Sequence, residues 1–157
     1  MYLKKITFLF SLLLLLSCGY KPIHSSKESL TKYNFSIQTI SFLGNNKINQ
    51  LVKNSLNNYL KLKEKSKNFD LIINSKINKE ITTKNAQGNA EKYSIKISLD
   101  LKVLENEIIV GEKNFIKKFE YNNQSNKFNL NQYEKNLEKS LTSKISEEMI
   151  FYVYDLK

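Results

Sequence analysis

A chain of 157 residues is long enough for one domain with a buried core, and hardly long enough for two. The single cysteine excludes an internal disulfide, and the single histidine leaves catalytic triads and histidine metal sites almost nothing to be built from. The formal net charge is +10, and every positively charged side chain is a lysine. The absence of arginine disfavours bidentate hydrogen bonding to nucleic-acid bases. We therefore predict a protein that is not an enzyme, has no catalytic or metal site, needs no cofactor and binds no nucleic acid.

Residues 1–17 have the layout of a secretory signal peptide. Lys4 and Lys5 form a short positive region ahead of an apolar run from residue 6 to residue 16. This run is too short to span a bilayer, which needs roughly 20 residues. An uncleaved anchor or a buried core helix would not explain a lysine pair followed by a run that stops at Ser17 and Cys18.

The sequence Leu15-Leu16-Ser17-Cys18 has the pattern of a bacterial lipobox, with an apolar residue at −3, a small residue at −1 and cysteine at +1. It predicts that Cys18 becomes the N-terminus and carries an N-palmitoyl chain and an S-diacylglycerol group. Each buried CH₂ contributes about 0.8 kcal/mol, so several acyl chains hold a protein on a membrane effectively permanently. Gly19 stands where Asp would favour retention in the inner membrane, so we expect the outer membrane.

The predicted elements start after a polar tether, residues 18–32, and fill a single domain, residues 33–157. A first strand is predicted over 33–42, with a bulge near Thr39, because the apolar phase shifts there. A helix capped near residues 44–46 follows, with one apolar stripe over about four turns. A second strand over 69–77 completes a right-handed βαβ unit, which predicts that the first two strands are parallel.

Two antiparallel strands and a second helix complete the predicted fold. Residues 85–89 predict a hairpin loop, and residues 93–103 alternate apolar and polar side chains, which is typical of a strand buried on one face. A fourth strand is predicted over 108–121, with a bulge at Gly111. The second helix is predicted from about Asn131, with Glu134 as a capping-box partner. The fold class is α+β, in the order β-α-β-β-β-α, with a single four-stranded mixed sheet and both helices on one face.

Three groups of residues are candidate sites, and each also has a purely structural interpretation. The lysine cluster of residues 61–67 would bind phosphate, or simply be a solvated helix end. Lys84 and Lys92 flank the Gly88 loop and would reach an anionic lipid headgroup, or be ordinary hairpin charges. The aromatic residues of the fourth strand would form a ligand platform, or belong to the core: Phe115, Phe119 and Tyr121.

Several of these segments together resemble the LPS-assembly lipoprotein LptE family. They are the start Cys18-Gly19-Tyr20-Lys21-Pro22-Ile23, the β-α-β-β-β-α order, the stretch Gly88-x-Ala90-x-x-Tyr93, and the closing helix from Tyr133-Glu134 to Ile145. Family members often have arginine before the tyrosine, where this chain has Lys92.

The resemblance implies a lipid-anchored protein on the periplasmic side of the outer membrane. It further implies pairing with an LptD-type outer-membrane β-barrel, which the protein plugs, and a role in assembling lipopolysaccharide at the cell surface. One alternative is a stand-alone, periplasm-facing lipid- or glycolipid-binding lipoprotein. A third hypothesis, an envelope hydrolase, predicts an exposed acid pair or a serine in a deep pocket.

Overall fold

The four strands form one sheet in which their spatial order equals their order in the chain. The computed structural model describes residues 34–57, 59–60 and 66–156. The elements are β1 (Phe35–Gly44), α1 (Asn46–Leu56), β2 (Lys67–Lys84), β3 (Ala90–Glu105), β4 (Ile108–Asn122) and α2 (Lys127–Asp155). The predicted order and the α+β class are confirmed.

Strand β1 is parallel to β2, and the two remaining strand pairs are antiparallel. The sheet is therefore mixed, and α1 makes the crossover that a parallel pair requires. Both predicted bulges are present. Ile37 pairs with Phe69 and Thr39 with Asp70, which leaves Gln38 as the extra residue. Similarly, Val110 is the extra residue beside Gly111 in β4.

Both helices cover the same face of the sheet, which buries that face. Helix α1 packs on β1 and β2, α2 packs on β3 and β4, and the two helices pack against each other. Alternate side chains of β3 enter the core, as the sequence predicts: Ile95, Ile97, Leu99, Leu101 and Val103. Helix α2 contributes a stripe of buried apolar side chains along one face: Leu130, Leu141, Ile145, Met149, Ile150 and Val153.

The start of α2 is the main local error of the sequence-based prediction. The helix begins at Lys127, with Asn126 as its N-cap, whereas the sequence indicated a start near Asn131. The side chain of Asn126 accepts hydrogen bonds from the amides of Phe128, at 2.9 Å, and Asn129, at 3.1 Å. Glu134 therefore lies inside the helix and is not the partner of a capping box. It binds two side chains of the sheet, described below.

Strand β2 is also longer than predicted, since it runs to Lys84 and not to residue 77. From Asn78 onward its residues are exposed whichever face they project from. This part of the strand therefore lacks the alternation of apolar and polar residues from which the sequence predicts a strand. The β2–β3 hairpin consequently extends beyond the part of the sheet that the core fills.

Candidate functional site

Cys18, the predicted lipidation site, lies outside the described residues. The predicted signal peptide, residues 1–17, and the tether, residues 18–32, lie outside them too. In the part of the chain that the structure describes, neither α1 nor α2 contains an apolar stretch that could span a bilayer.

Lys84 and Lys92 lie on opposite sides of the β2–β3 turn and are both exposed. Thr83 pairs with Lys92, and Lys84 pairs with Ala90, so the two lysines are diagonal neighbours at the base of the turn. Neither forms an ion pair with a described carboxylate. Both charges are therefore available to an anionic ligand. The structure brings the two residues to one hairpin, where Lys92 lines a cleft.

The turn between these lysines is held by its own backbone and by one side chain. The carboxamide oxygen of Asn85 accepts hydrogen bonds from the amides of Gln87, at 3.1 Å, and Asn89, at 2.9 Å. The amide of Gly88 donates to the carbonyl of Asn85 at 2.9 Å. Because these bonds close the loop locally, the lysines flank a turn of defined geometry.

An open cleft of about 430 Å³ lies beside Lys92 at the end of β4. It is lined by charged, amide and aromatic groups: Lys92, Phe119, Glu120, Tyr121, Asn122, Gln124 and Tyr133. Phe119 is 42% exposed, whereas Phe115 and Tyr121 are buried. The predicted aromatic set is therefore split. Two members belong to the core, and only Phe119 presents its ring to solvent.

Beneath this cleft, one carboxylate joins the hairpin, β4 and α2. Glu134 accepts a hydrogen bond from the hydroxyl of Tyr121 at 2.8 Å and pairs with the amine of Lys79 at 2.5 Å. That amine also lies 4.5 Å from the ring centroid of Tyr93, which stacks on Tyr121 with 5.7 Å between centroids. Tyr133 packs on the other side, 5.8 Å from Tyr121. We call these five residues the tyrosine cluster.

The tyrosine cluster changes the acidity of Tyr121. Burial, followed by the hydrogen bond to Glu134 and the negative charge of that carboxylate, raises the pKa of Tyr121 above its ordinary value. The phenol therefore remains a hydrogen-bond donor well into the alkaline range. Sequence reasoning missed Lys79, because a lysine in a polar strand end carries no signal for a partner 55 residues away.

The lysine cluster of residues 61–67 is only partly described, since residues 61–65 lie outside the described part of the chain. The remaining member, Lys67, is half-buried, and its amine donates to the carbonyl of Leu156 at 3.3 Å. Leu156 follows α2 directly, so the lysine satisfies an acceptor at the end of that helix. Lys67 therefore has a structural role.

The outer face of the sheet is polar and carries paired charges. The amide of Asn114 donates to Asp100 at 2.5 Å, and Lys102 pairs with Glu112 at 3.1 Å across β3 and β4. Ile116 is an exposed exception within this face. Among the residues that the structure describes, no group of three or more His, Cys, Asp or Glu side chains has the arrangement of a metal site.

The fold is shared with solved structures of bacterial lipoproteins. Rare lipoprotein B from Shewanella oneidensis superposes with a TM-score of 0.55 at 12% identity, over 73% of this chain and 92% of that one. A minor lipoprotein from Acinetobacter baumannii gives 0.54 at 10% identity, over 74% of this chain and 87% of the other. Lipoprotein B from Nitrosomonas europaea gives 0.56 at 10% identity, over 76% and 83%.

Sequence comparison adds no relative to these structures. No protein-family model matches the chain, and no curated protein matches it either. At identities this low, the structural likeness establishes the fold that the chain shares with these proteins and nothing finer.

Proposed function

We propose that this chain is a bacterial lipoprotein of the LptE family, which pairs with and plugs an LptD-type outer-membrane β-barrel to assemble lipopolysaccharide at the cell surface. The observation that carries the proposal is a combination. A domain with the fold of rare lipoprotein B follows a lipobox in this sequence, and several segments of the chain resemble the LptE family. Neither feature alone distinguishes this role from other lipoproteins or other α+β domains.

In this proposal Cys18 carries the acyl chains and anchors the protein on the periplasmic side of the outer membrane. Its sequence context supports processing, because the lipobox ends at Ser17-Cys18 and the next residue, Gly19, is not the aspartate of inner-membrane retention. An acylated anchor keeps the domain within reach of the membrane without any transmembrane segment.

The polar outer face of the sheet is the surface proposed to meet the barrel. The lumen of an outer-membrane barrel is polar, and the hydrogen bond between Asn114 and Asp100 and the pair Lys102–Glu112 give this face a matching character. The opposite face is covered by both helices, and its side chains are buried in the core. A plug therefore has one broad sheet face to offer.

Lys84 and Lys92 are proposed to contact the anionic headgroup of lipopolysaccharide. Both amines are exposed and without a described carboxylate partner, and Lys92 lines the cleft beside Phe119. Phosphate groups and lysine amines attract each other even at the surface, although each exposed contact is worth only about 0.2–1 kcal/mol. The role is binding and assembly, and it requires no catalytic group.

The cleft beside Lys92 also favours one alternative, a stand-alone lipoprotein that binds a lipid or glycolipid without a barrel partner. The two functions predict different binding partners for this protein in the cell envelope. We expect an affinity tag on this chain to recover an outer-membrane barrel from detergent-extracted envelopes, identified by mass spectrometry. Recovery of a monomeric chain that binds lipopolysaccharide saturably would instead establish the alternative.

Replacing Cys18 tests the anchor. We expect Cys18→Ser to leave an unprocessed precursor, heavier than the wild-type polypeptide by the signal peptide and lacking acyl chains, because the thioether cannot form. Intact-mass measurement of both proteins provides the readout, with Ser17→Ala as a matched control that keeps a small residue at −1. Mature, acylated protein from the Cys18→Ser variant would refute the lipobox interpretation.

The two lysines can be tested separately from the barrel. We expect Lys84→Gln together with Lys92→Gln to weaken lipopolysaccharide binding by about three- to tenfold, from the loss of two exposed charge contacts. The matched control is Lys76→Gln with Lys96→Gln, which removes the same charge from the outer face of the two central strands. Equal weakening by both double variants would mean that net charge, and not the hairpin, attracts the ligand.

A further inference from the structure

One end of the domain combines the entry of the chain with the β3–β4 hairpin. Asn34 precedes β1 at this end, and Leu156 lies between the two features. Leu156 lines a cleft together with Asn34 and Tyr154, and a β-carbon placed on Gly111 would come within 2.9 Å of a Leu156 methyl group. We call this the tether end, because the predicted tether joins the domain here.

The hairpin at the tether end exposes three consecutive aliphatic side chains. Ile108 is 69% exposed, Ile109 49% and Val110 40%. Such a run is unusual for a strand that faces water on one side, where alternate residues are polar. It is also distant from the lysines of the β2–β3 turn, which lies at the other end of these strands.

These side chains project from both faces of the hairpin. Ile108 lies opposite Glu105, and Ile109 lies opposite Leu104. Directly opposed residues share a face and successive residues alternate, so the two isoleucines point to opposite sides. A docked protein surface would cover one side. An apolar medium that surrounds the hairpin accommodates both sides, and a lipid bilayer is such a medium.

The tip of the hairpin sets how deep such a contact can be. Asn106 and Glu107 have φ angles of 52° and 66°, so they form a tight turn with polar side chains next to the isoleucines. A carboxylate does not enter the hydrocarbon, which confines the hairpin to the boundary between headgroups and acyl chains. Tyr154, exposed at the same end, has the amphipathic ring that this boundary favours.

We propose that the β3–β4 hairpin rests in the interfacial layer of the membrane that anchors the protein, with Ile108, Ile109 and Val110 in contact with lipid. The proposal rests on the proposed function only in taking the anchor to be acylated Cys18. Three aliphatic residues bind a bilayer weakly by themselves. The anchor makes their contact intramolecular, so a weak contact is populated. The hairpin then orients the domain on the membrane as a second point of attachment.

The absence of tryptophan from the sequence provides a direct test. Ile109→Trp and Ile116→Trp each introduce one tryptophan at a β4 position that is 49% exposed on the outer face of the sheet, the first at the tether end and the second farther along the strand. Each full-length protein is produced in a bacterial envelope, purified in detergent, and reconstituted into phosphatidylethanolamine–phosphatidylglycerol vesicles. Brominated acyl chains in the vesicles quench a tryptophan that contacts lipid.

We expect brominated lipid to reduce the emission of the Ile109→Trp variant about twofold, with a blue shift, because an interfacial segment is buried about 5–10 Å into the boundary. The Ile116→Trp variant should keep its emission. Equal quenching of both variants, or of neither, would overturn the proposal. So would a blue shift of Ile109→Trp without quenching, since that would place the hairpin against protein, such as a second copy of the chain.

The intact mass of the same samples separates this proposal from the proposed function. An unmodified thiol at Cys18 would refute lipidation, and that thiol can then be coupled to a maleimide lipid, because it is the only cysteine. Quenching of the coupled Ile109→Trp variant would still support the hairpin contact, and its absence would reject it.

Discussion

Gly44 shows how a single backbone position fixes the βα connection. Its φ is +86°, and a β-carbon there would lie 2.0 Å from the carbonyl oxygen of Ser75 on the paired strand. The amide of Asn45 donates to that same carbonyl at 3.0 Å, so the oxygen is held in place. Asn45 then caps α1 by accepting from the amide of Ile48 at 3.1 Å. The close approach of β1 and β2 therefore requires glycine.

Comparing Gly44→Ala with Gly88→Ala separates steric overlap from backbone conformation. Gly88 has a similar φ of +82°, but a β-carbon there meets nothing within 4 Å. We expect Gly88→Ala to reduce the free energy of unfolding by about 1–2 kcal/mol, the cost of a left-handed conformation. Gly44→Ala should lose several kcal/mol, because the backbone must also move. Urea unfolding followed by circular dichroism measures both, and equal losses would contradict the steric explanation.

Tyr121 makes the stability of the domain depend on alkaline pH. Its pKa is raised in the folded state, so the folded protein keeps a proton that the unfolded chain releases above about pH 10. The stabilisation from this group is complete below pH 10 and is lost as the pH rises further, by at most about 1.4 kcal/mol for each pH unit.

We therefore expect the free energy of unfolding to fall more steeply between pH 9 and 11 in the wild type than in Tyr121→Phe. Urea unfolding at each pH provides the measurement. Tyr133→Phe is the control, since the hydroxyl bound to Glu134 is that of Tyr121. Parallel pH profiles for wild type and Tyr121→Phe would show that the phenol does not retain its proton.

Among the elements, α2 shows best what local sequence signals can and cannot give. Its buried stripe is apolar at helical spacing, so the helix was predictable, as was β3 from its strict alternation. The first turn of α2 could not be predicted, because Phe128 is 69% exposed and does not belong to the buried stripe. The contact of Glu134 with Lys79 could not be predicted from the sequence either, since it depends on how α2 lies across the sheet.

Alanine substitutions at two asparagines test at which residue α2 starts. We expect Asn126→Ala to cost about 0.5–2 kcal/mol, because two amides lose their acceptor. Asn131→Ala should be neutral or slightly stabilising, because alanine is the better helix former at an exposed interior position. Thermal unfolding of the two variants decides between the starts. A larger loss for Asn131→Ala would restore the start predicted from the sequence.

At the scale of the whole sheet, β1 and β4 are edge strands with unpaired backbone groups. The bulge at Gln38 interrupts one edge. The other edge carries Lys113 and Lys117 on the face that elsewhere is apolar, opposite Leu101 and Ile97. Lys113 lies over the rings of Phe115 and Tyr152, and Lys117 pairs with Glu148 at 2.5 Å. Inward charges and bulges are the devices that prevent sheets from joining edge to edge.

Removing the charges of one edge should therefore change the oligomeric state. We expect Lys113→Val with Lys117→Val to produce concentration-dependent dimers or larger species, detected by light scattering after size-exclusion chromatography. Lys76→Val with Lys96→Val removes the same charge from the two central strands and should remain as monomeric as the wild type. Association of the control to the same extent would mean that lower net charge, and not the freed edge, causes it.

The arrangement of the core also constrains how the chain can fold during synthesis or export. Helix α2 follows all four strands, yet it provides the cover for β3 and β4. A polypeptide that emerges from its N-terminal side first presents the inner face of the sheet to water until residues 127–155 have appeared. The inner face of β3 and β4 therefore becomes fully buried only after the C-terminal segment has appeared, and until then it is exposed apolar surface that can aggregate.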